Sequence, residues 1–156
     1  MKTPCVFLDI DGVLNSTAWW ARRNTMEFPY REFDPQCLAR LEGLLCSTEA
    51  ALVISSSWRI GQDLLALQAM FAEVSNYWGE GTQLPERIVG ATRILETERG
   101  AEVADWCVTE SVESYVILDD QTDFQPEQPL VWIDPTHGLQ DKDVEAALRV
   151  LGGMLC

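Results

Sequence analysis

Short apolar runs alternate along the chain with longer stretches in which apolar residues recur every three to four positions. Residues 5–10 form a nearly continuous apolar run, the pattern of a strand buried on both faces of a parallel sheet. Residues 16–33 carry Trp19, Trp20, Arg22, Arg23, Phe28, Tyr30, Arg31 and Phe33 without a clear period and read as a short insertion with about one helical turn. Asp34-Pro35 then supplies an N-cap and a proline at the first helical position. Leu38, Leu41, Leu44 and Leu45 follow at helical spacing, which predicts a helix ending near Ser47. Residues 51–54 are a second buried strand, stopped by Ser55, Ser56 and Ser57. Leu64, Leu65, Leu67, Met70, Phe71 and Val74 predict a helix over 62–74, followed by a loop up to Pro85. A short third strand is expected at 87–91, a helix from Glu98-Arg99-Gly100 through Ala104 and Trp106, and a strand at 115–118 running into Asp119-Asp120. Residues 130–133 make a fifth strand, and Val144, Ala147, Leu148 and Leu151 mark a last amphipathic helix.

This alternation predicts an α/β domain with a parallel sheet of about five strands flanked by helices. The 156 residues suit a single domain over 1–156, and 47% hydrophobic residues suffice for a core. In open sheets of this kind ligands bind beyond the carboxyl ends of the strands. Three of those ends are polar here, at residues 9–11, 55–57 and 119–123, and they converge.

Charge narrows the partners. The chain has 11 basic and 25 acidic residues, a formal net charge of −14, so long-range repulsion disfavours long duplex nucleic acid and anionic membranes. Arg22, Arg23, Arg31, Arg40 and Arg59 leave room for a local anion-binding patch. The 5 cysteines contain no CxxC pair, and the single histidine, His137, offers no zinc spacing and reads as a loop residue. Cys5, Cys46 and Cys107 sit among apolar residues, which predicts buried, reduced thiols and a reducing compartment. Met1-Lys2-Thr3-Pro4 lacks the features of a signal peptide, and no apolar stretch reaches membrane-spanning length, so a cytoplasmic location is expected.

The strongest chemical signal is Phe7-Leu8-Asp9-Ile10-Asp11-Gly12-Val13-Leu14-Asn15. Alternation along a strand would send Asp9 and Asp11 to one side, with Gly12 permitting a sharp exit. Two carboxylates at one mouth raise a pKa or demand a cation, and Mg²⁺ suits a small set of oxygens completed by water and a substrate phosphate. A second acidic strand end, with Asp119, Asp120 and Asp123, strengthens that reading. No GxxxxGK[ST] or GxGxxG sequence occurs, which argues against a P-loop or dinucleotide site. Trp58 and Trp106 are expected in or beside the core. Trp19 and Trp20 beside Arg22 and Arg23 read equally as a stacking edge for a base or as the insertion's own small core.

The Asp9-Ile10-Asp11-Gly12-Val13 start, the apolar strand ending in Ser55 and the Asp119-Asp120 strand end resemble the haloacid dehalogenase (HAD) superfamily, whose members are mostly Mg²⁺-dependent phosphohydrolases. More narrowly, residues 8–15, Ser55-Ser56-Ser57-Trp58-Arg59, Arg99-Gly100 through Trp106, residues 117–120 and Gly138-Leu139 resemble the compact HAD domain of Swiss Army Knife RNA-repair proteins. The resemblance implies a Rossmann-like core with no large cap. It implies Asp9 as nucleophile through an aspartyl-phosphate, and Asp11 as general acid and then base. It implies Ser55, with Ser56 as alternative, together with Gly12 and Arg99 around the phosphate. Asp120 best matches the Mg²⁺-anchoring acid, joined by Asp9, Asp11, Asp119 and Asp123 as further candidates. The family needs a cation beside the phosphoryl group. Lys2 and Lys142 are badly placed, which leaves Arg99 first, with Arg59 and Arg93 as fallbacks. The expected activity is that of a phosphomonoesterase on a phosphorylated substrate such as a nucleotide or RNA end. The alternative is a catalytically silent module of the same fold that binds phosphate or a protein.

Overall fold

A four-residue apolar run is too short for a helix but long enough to cross a sheet covered on both faces. The computed structural model describes residues 2–23, 32–77 and 82–152. It places runs of three to five residues in β1 (Cys5–Leu8), β2 (Ala51–Ile54), β3 (Ile88–Ala91), β4 (Tyr115–Asp119) and β5 (Leu130–Trp132). All four neighbouring pairs are parallel, in the order β3-β2-β1-β4-β5. The chain therefore leaves the central β1 toward one edge, through β2 and β3, and returns to β1's other side for β4 and β5. That reversal of strand order is where open α/β sheets form a crevice.

The connections hold α1 (Thr17–Arg23), α2 (Pro35–Thr48), α3 (Leu64–Tyr77), α4 (Leu84–Arg87), α5 (Arg99–Thr109) and α6 (Asp141–Leu151). Alternate residues of each strand feed two cores. Val6, Leu8, Leu52, Ile54, Val116 and Leu118 pack with leucines of α2, with Leu67 and Phe71 of α3, and with Val144, Ala147 and Leu148 of α6. Cys5, Phe7, Val53 and Ile117 pack on the opposite face with Val103 and Trp106 of α5. The fold is α/β with a five-stranded parallel sheet flanked by helices, as the apolar pattern implies. Asp34 caps α2 by accepting the Gln36 N–H at 2.9 Å, with Pro35 in the first turn.

Several local expectations change. Residues 17–23 form a helix of 7 residues rather than a single turn, and Trp19 is buried. The Arg23 guanidinium lies 3.7 Å from the centroid of the Trp20 ring, so that stack is made within the chain. Phe28, Tyr30, Arg31, Cys156 and the side chain of Val74 lie outside the described residues. The stretch expected as loop up to Pro85 contains α4. Cys46 is exposed rather than buried, because the helical rotation that turns Leu44 and Leu45 inward leaves it on the outer face. Cys37 takes the buried place instead, and burial, followed by the nearby Asp34, pushes its thiol up to about 12. Trp58 and Trp106 pack against the two cores as expected. Among the described residues no helix is long and apolar enough to cross a membrane.

Candidate active site

Ladder hydrogen bonds run one residue past three strand ends. The Ser55 N–H donates to the Leu8 carbonyl (2.8 Å), Asp9 to Leu118 (3.0 Å) and Thr92 to Ile54 (3.0 Å). Ser55, Asp9 and Asp119 therefore sit side by side at the carboxyl edge of β2, β1 and β4. Asp9 and Asp119 are buried, and one carboxylate oxygen from each of Asp9, Asp119 and Asp120 lies within 4.8 Å of the others.

Arg99, the first residue of α5, reaches into this group. Its Nη1 donates to Asp119 Oδ2 at 2.8 Å and lies 3.0 Å from Asp9 Oδ1. The helix start is positioned by Asp123, whose Oδ2 accepts the Arg99 N–H at 3.0 Å and whose carbonyl accepts the Gly100 N–H at 3.1 Å. Gly100 packs closely there: a Cβ would stand 2.5 Å from Gln128 Oε1 and 3.0 Å from the Phe124 Cα, so a larger residue would make the Gln128 side chain shift. Burial opposes the charge on Arg99, but Asp9 and Asp119 outweigh it and hold its pKa above the ordinary value. Burial, then the Asp119 charge, pushes Asp9 up to about 7 against the pull of Arg99. Burial likewise raises Asp119, although Arg99 and the Gln121 N–H oppose it.

The structure does not bring every candidate acid into the group. β1 ends at Leu8, so strict strand alternation no longer governs Asp11; its carboxylate is exposed and accepts the Asn15 amide at 3.0 Å. Asp123 is committed to the start of α5. Gly12 turns the chain with φ +83°, and a Cβ on it would stand 2.5 Å from Asp120 Oδ2, so only glycine lets the β1 loop close over that acid. Its N–H donates to Asn15 Oδ1 at 2.9 Å.

The serine run separates by partner. Ser56 Oγ caps the short 3₁₀ turn Ser57–Arg59 by accepting the Trp58 N–H at 3.2 Å, whereas Ser55 Oγ is buried with no protein partner. An orphaned buried hydroxyl costs about 1–3 kcal/mol unless something else accepts its proton, so Ser55 has an uncommitted donor at the edge beside Asp9. The arginines separate too. Arg59 is buried and uses all its N–H groups on Glu102 and on the carbonyls of Ser55, Ser56 and Thr92. Arg93 pairs with Asp105 on the outside of α5. Arg99 is thus the arginine among the three that meets the acid group. Thr92 also buries its Oγ1 without a protein partner, and a lone threonine after a weak strand carries no pattern in the sequence.

Oxygen donors of this kind suit a hard divalent cation, and Asp9, Asp119 and Asp120 lie close enough together that they could hold one. Acids thus stand at the tips of β1 and β4, a serine at the tip of β2 and an arginine at the head of α5. The family model for the HAD domain in Swiss Army Knife RNA repair proteins matches residues 5–144, and the chain belongs to that family. Membership implies a phosphohydrolase-type function. No curated protein and no solved structure matches the chain.

Proposed function

We propose that the chain is a Mg²⁺-dependent phosphomonoesterase that works through an aspartyl-phosphate on Asp9, with nucleotide or RNA-end phosphates as substrates. The whole of 1–156 is read as one such domain, with 16–33 as its short insertion. The observation that carries the proposal is the junction of Asp9, Asp119, Asp120 and Arg99 beside the unpartnered hydroxyl of Ser55.

Phosphoryl transfer asks a protein chiefly to position groups and neutralise charge. Asp9, Asp119 and Asp120 would hold the Mg²⁺, which would supply positive charge to offset that of the carboxylates and the phosphate. Arg99 faces both Asp9 and the incoming phosphoryl oxygens, and Ser55 offers one of those oxygens a proton. The Asp9 carboxylate attacks phosphorus and forms the P–O bond of an acyl phosphate while the ester P–O bond breaks. Asp11 hands its proton to the departing oxygen. In the second half Asp11 takes a proton from water, the water oxygen bonds to phosphorus, and the bond to Asp9 breaks to release inorganic phosphate. The exposed position of the Asp11 carboxylate, steadied by Asn15, suits a group that must meet first the departing oxygen and then the attacking water.

The test is hydrolysis of an aryl phosphate with Mg²⁺ and with chelator, comparing the parent chain with Asp9→Asn. Activity that needs Mg²⁺ and disappears in Asp9→Asn is expected. Activity indifferent to either change overturns the proposal. Mg²⁺-dependent phosphate binding without turnover would make the domain a binding module instead.

A further inference from the structure

The sheet edge beside the acids carries an aromatic side chain that the reaction does not use. Trp132 pairs in register with Asp119, so the two side chains leave the same face of the sheet, and the β1–β4 ladder sets Asp9 next to Asp119 on the other side. Asp9, Asp119 and Trp132 form one row across β1, β4 and β5. Trp132 is 50% exposed, and its Nε1–H donates to the Asp120 carbonyl at 2.8 Å. The ring is tied by its polar end to the dipeptide that supplies two of the three clustered carboxylates, and it keeps an apolar surface toward solvent.

We propose that the Trp132 ring is the platform on which a nucleobase of the substrate stacks, which makes the substrate a mononucleotide or the terminal nucleotide of a strand. The inference rests on the phosphatase reading above and adds a specificity-determining residue to it. Two strand spacings, each about 4.8 Å, separate the row position of Asp9 from that of Trp132. Phosphorus and the stacked ring must therefore be joined through a spacer. In an aryl phosphate a single ester oxygen joins them, whereas a nucleotide interposes a ribose. Charge favours the same choice: a chain of net charge −14 repels a long run of backbone phosphates, while stacking holds a neutral terminal base without requiring cations.

The test compares kcat/KM for a nucleoside monophosphate, glycerol phosphate and an aryl phosphate in the parent chain, Trp132→Ala and Trp132→Phe. The ratio of nucleotide to glycerol phosphate is expected to fall roughly 5- to 150-fold in Trp132→Ala, mainly through KM, and to stay within about threefold in Trp132→Phe, which keeps a flat ring without the N–H. Equal losses on both substrates would mean that Trp132 acts only by bracing the Asp120 loop, and would overturn the platform, as would an unchanged ratio. An aryl phosphate losing as much as the nucleotide would overturn the nucleotide assignment. If the parent chain hydrolyses none of the three, the phosphatase reading fails, and calorimetry with Mg²⁺ then decides the platform alone. Tighter binding of a nucleoside monophosphate than of ribose 5-phosphate, lost in Trp132→Ala, supports it; equal binding overturns it.

Discussion

Replacing Arg59 with methionine keeps an apolar stem of similar length but removes the guanidinium that ties β2, β3 and α5 together beside the site. In the folded chain Nη2 holds both oxygens of Glu102 at 3.0 and 2.9 Å, Nε holds the Thr92 carbonyl at 2.9 Å, and Nη1 holds Ser56 at 2.7 Å and Ser55 at 3.3 Å. Both side chains of the ion pair are only 7% exposed, so the small worth of surface pairs does not apply. Arg59→Met strands the buried Glu102 carboxylate, leaving it the Leu95 N–H at 2.9 Å, and takes a donor away from the carbonyls of Ser55, Ser56 and Thr92. Breaking a buried pair from one side costs about 3–5 kcal/mol, a large share of the roughly 5–15 kcal/mol that holds a domain together. Urea unfolding followed by tryptophan fluorescence measures the loss. The double variant Arg59→Met/Glu102→Leu is expected to recover at least about 1 kcal/mol of it, because no charge is then left unpaired. A loss below about 1 kcal/mol in the single variant, or a double variant less stable than the single, would refute this view of Arg59 as a structural strut.

The two serines are expected to respond in opposite ways. Ser55→Ala leaves stability within about 0.5 kcal/mol but lowers kcat/KM roughly 10- to 150-fold, the worth of one hydrogen bond to a charged group. Ser56→Ala costs about 0.5–1 kcal/mol through the lost cap and leaves kcat/KM within about threefold. Equal effects of the two on kcat/KM would contradict the assignment. Burial and Asp119 push Asp9 up to about 7, whereas an unfolded aspartate titrates near about 3.9. Between those values the folded, metal-free chain holds a proton that the unfolded chain has lost. The associated stability is full below about pH 4, declines as pH rises and is gone above about pH 7, a change on the order of 2–4 kcal/mol. Thermal melts in chelator from pH 4 to 8 should show this decline in the parent chain and a flatter profile in Asp9→Asn; identical slopes would contradict it.

What the sequence revealed depended on range. The strands at 51–54 and 115–118 and the Asp34-Pro35 start of α2 are set by neighbouring residues, and they stand almost where the pattern predicts. Arg99 was legible because it opens a helix between two strand ends, which topology brings over the acids. Arg59 was not, because its partner Glu102 lies 43 residues away and an arginine in sequence reads as solvated until its carboxylate is found. Asp11 departed from expectation because alternation holds only while the chain is a strand, and β1 ends at Leu8. The distinction between Ser55 and Ser56 needed a hydrogen-bond partner, the Trp58 N–H, that no spacing rule identifies. Trp132 looked like one more strand residue, since the fifth strand's register against β4 is a long-range fact.

All of these roles depend on acids 110 residues apart, Asp9 and Asp119, serving with Asp120 as one cation site. Calorimetric titration of Mg²⁺ into the parent chain, Asp9→Asn and Asp120→Asn tests that directly. One ion per chain in the parent, with affinity reduced at least about tenfold in each variant, is the predicted result. Unchanged Mg²⁺ binding in folded samples of either variant would show that the two strand ends do not share an ion.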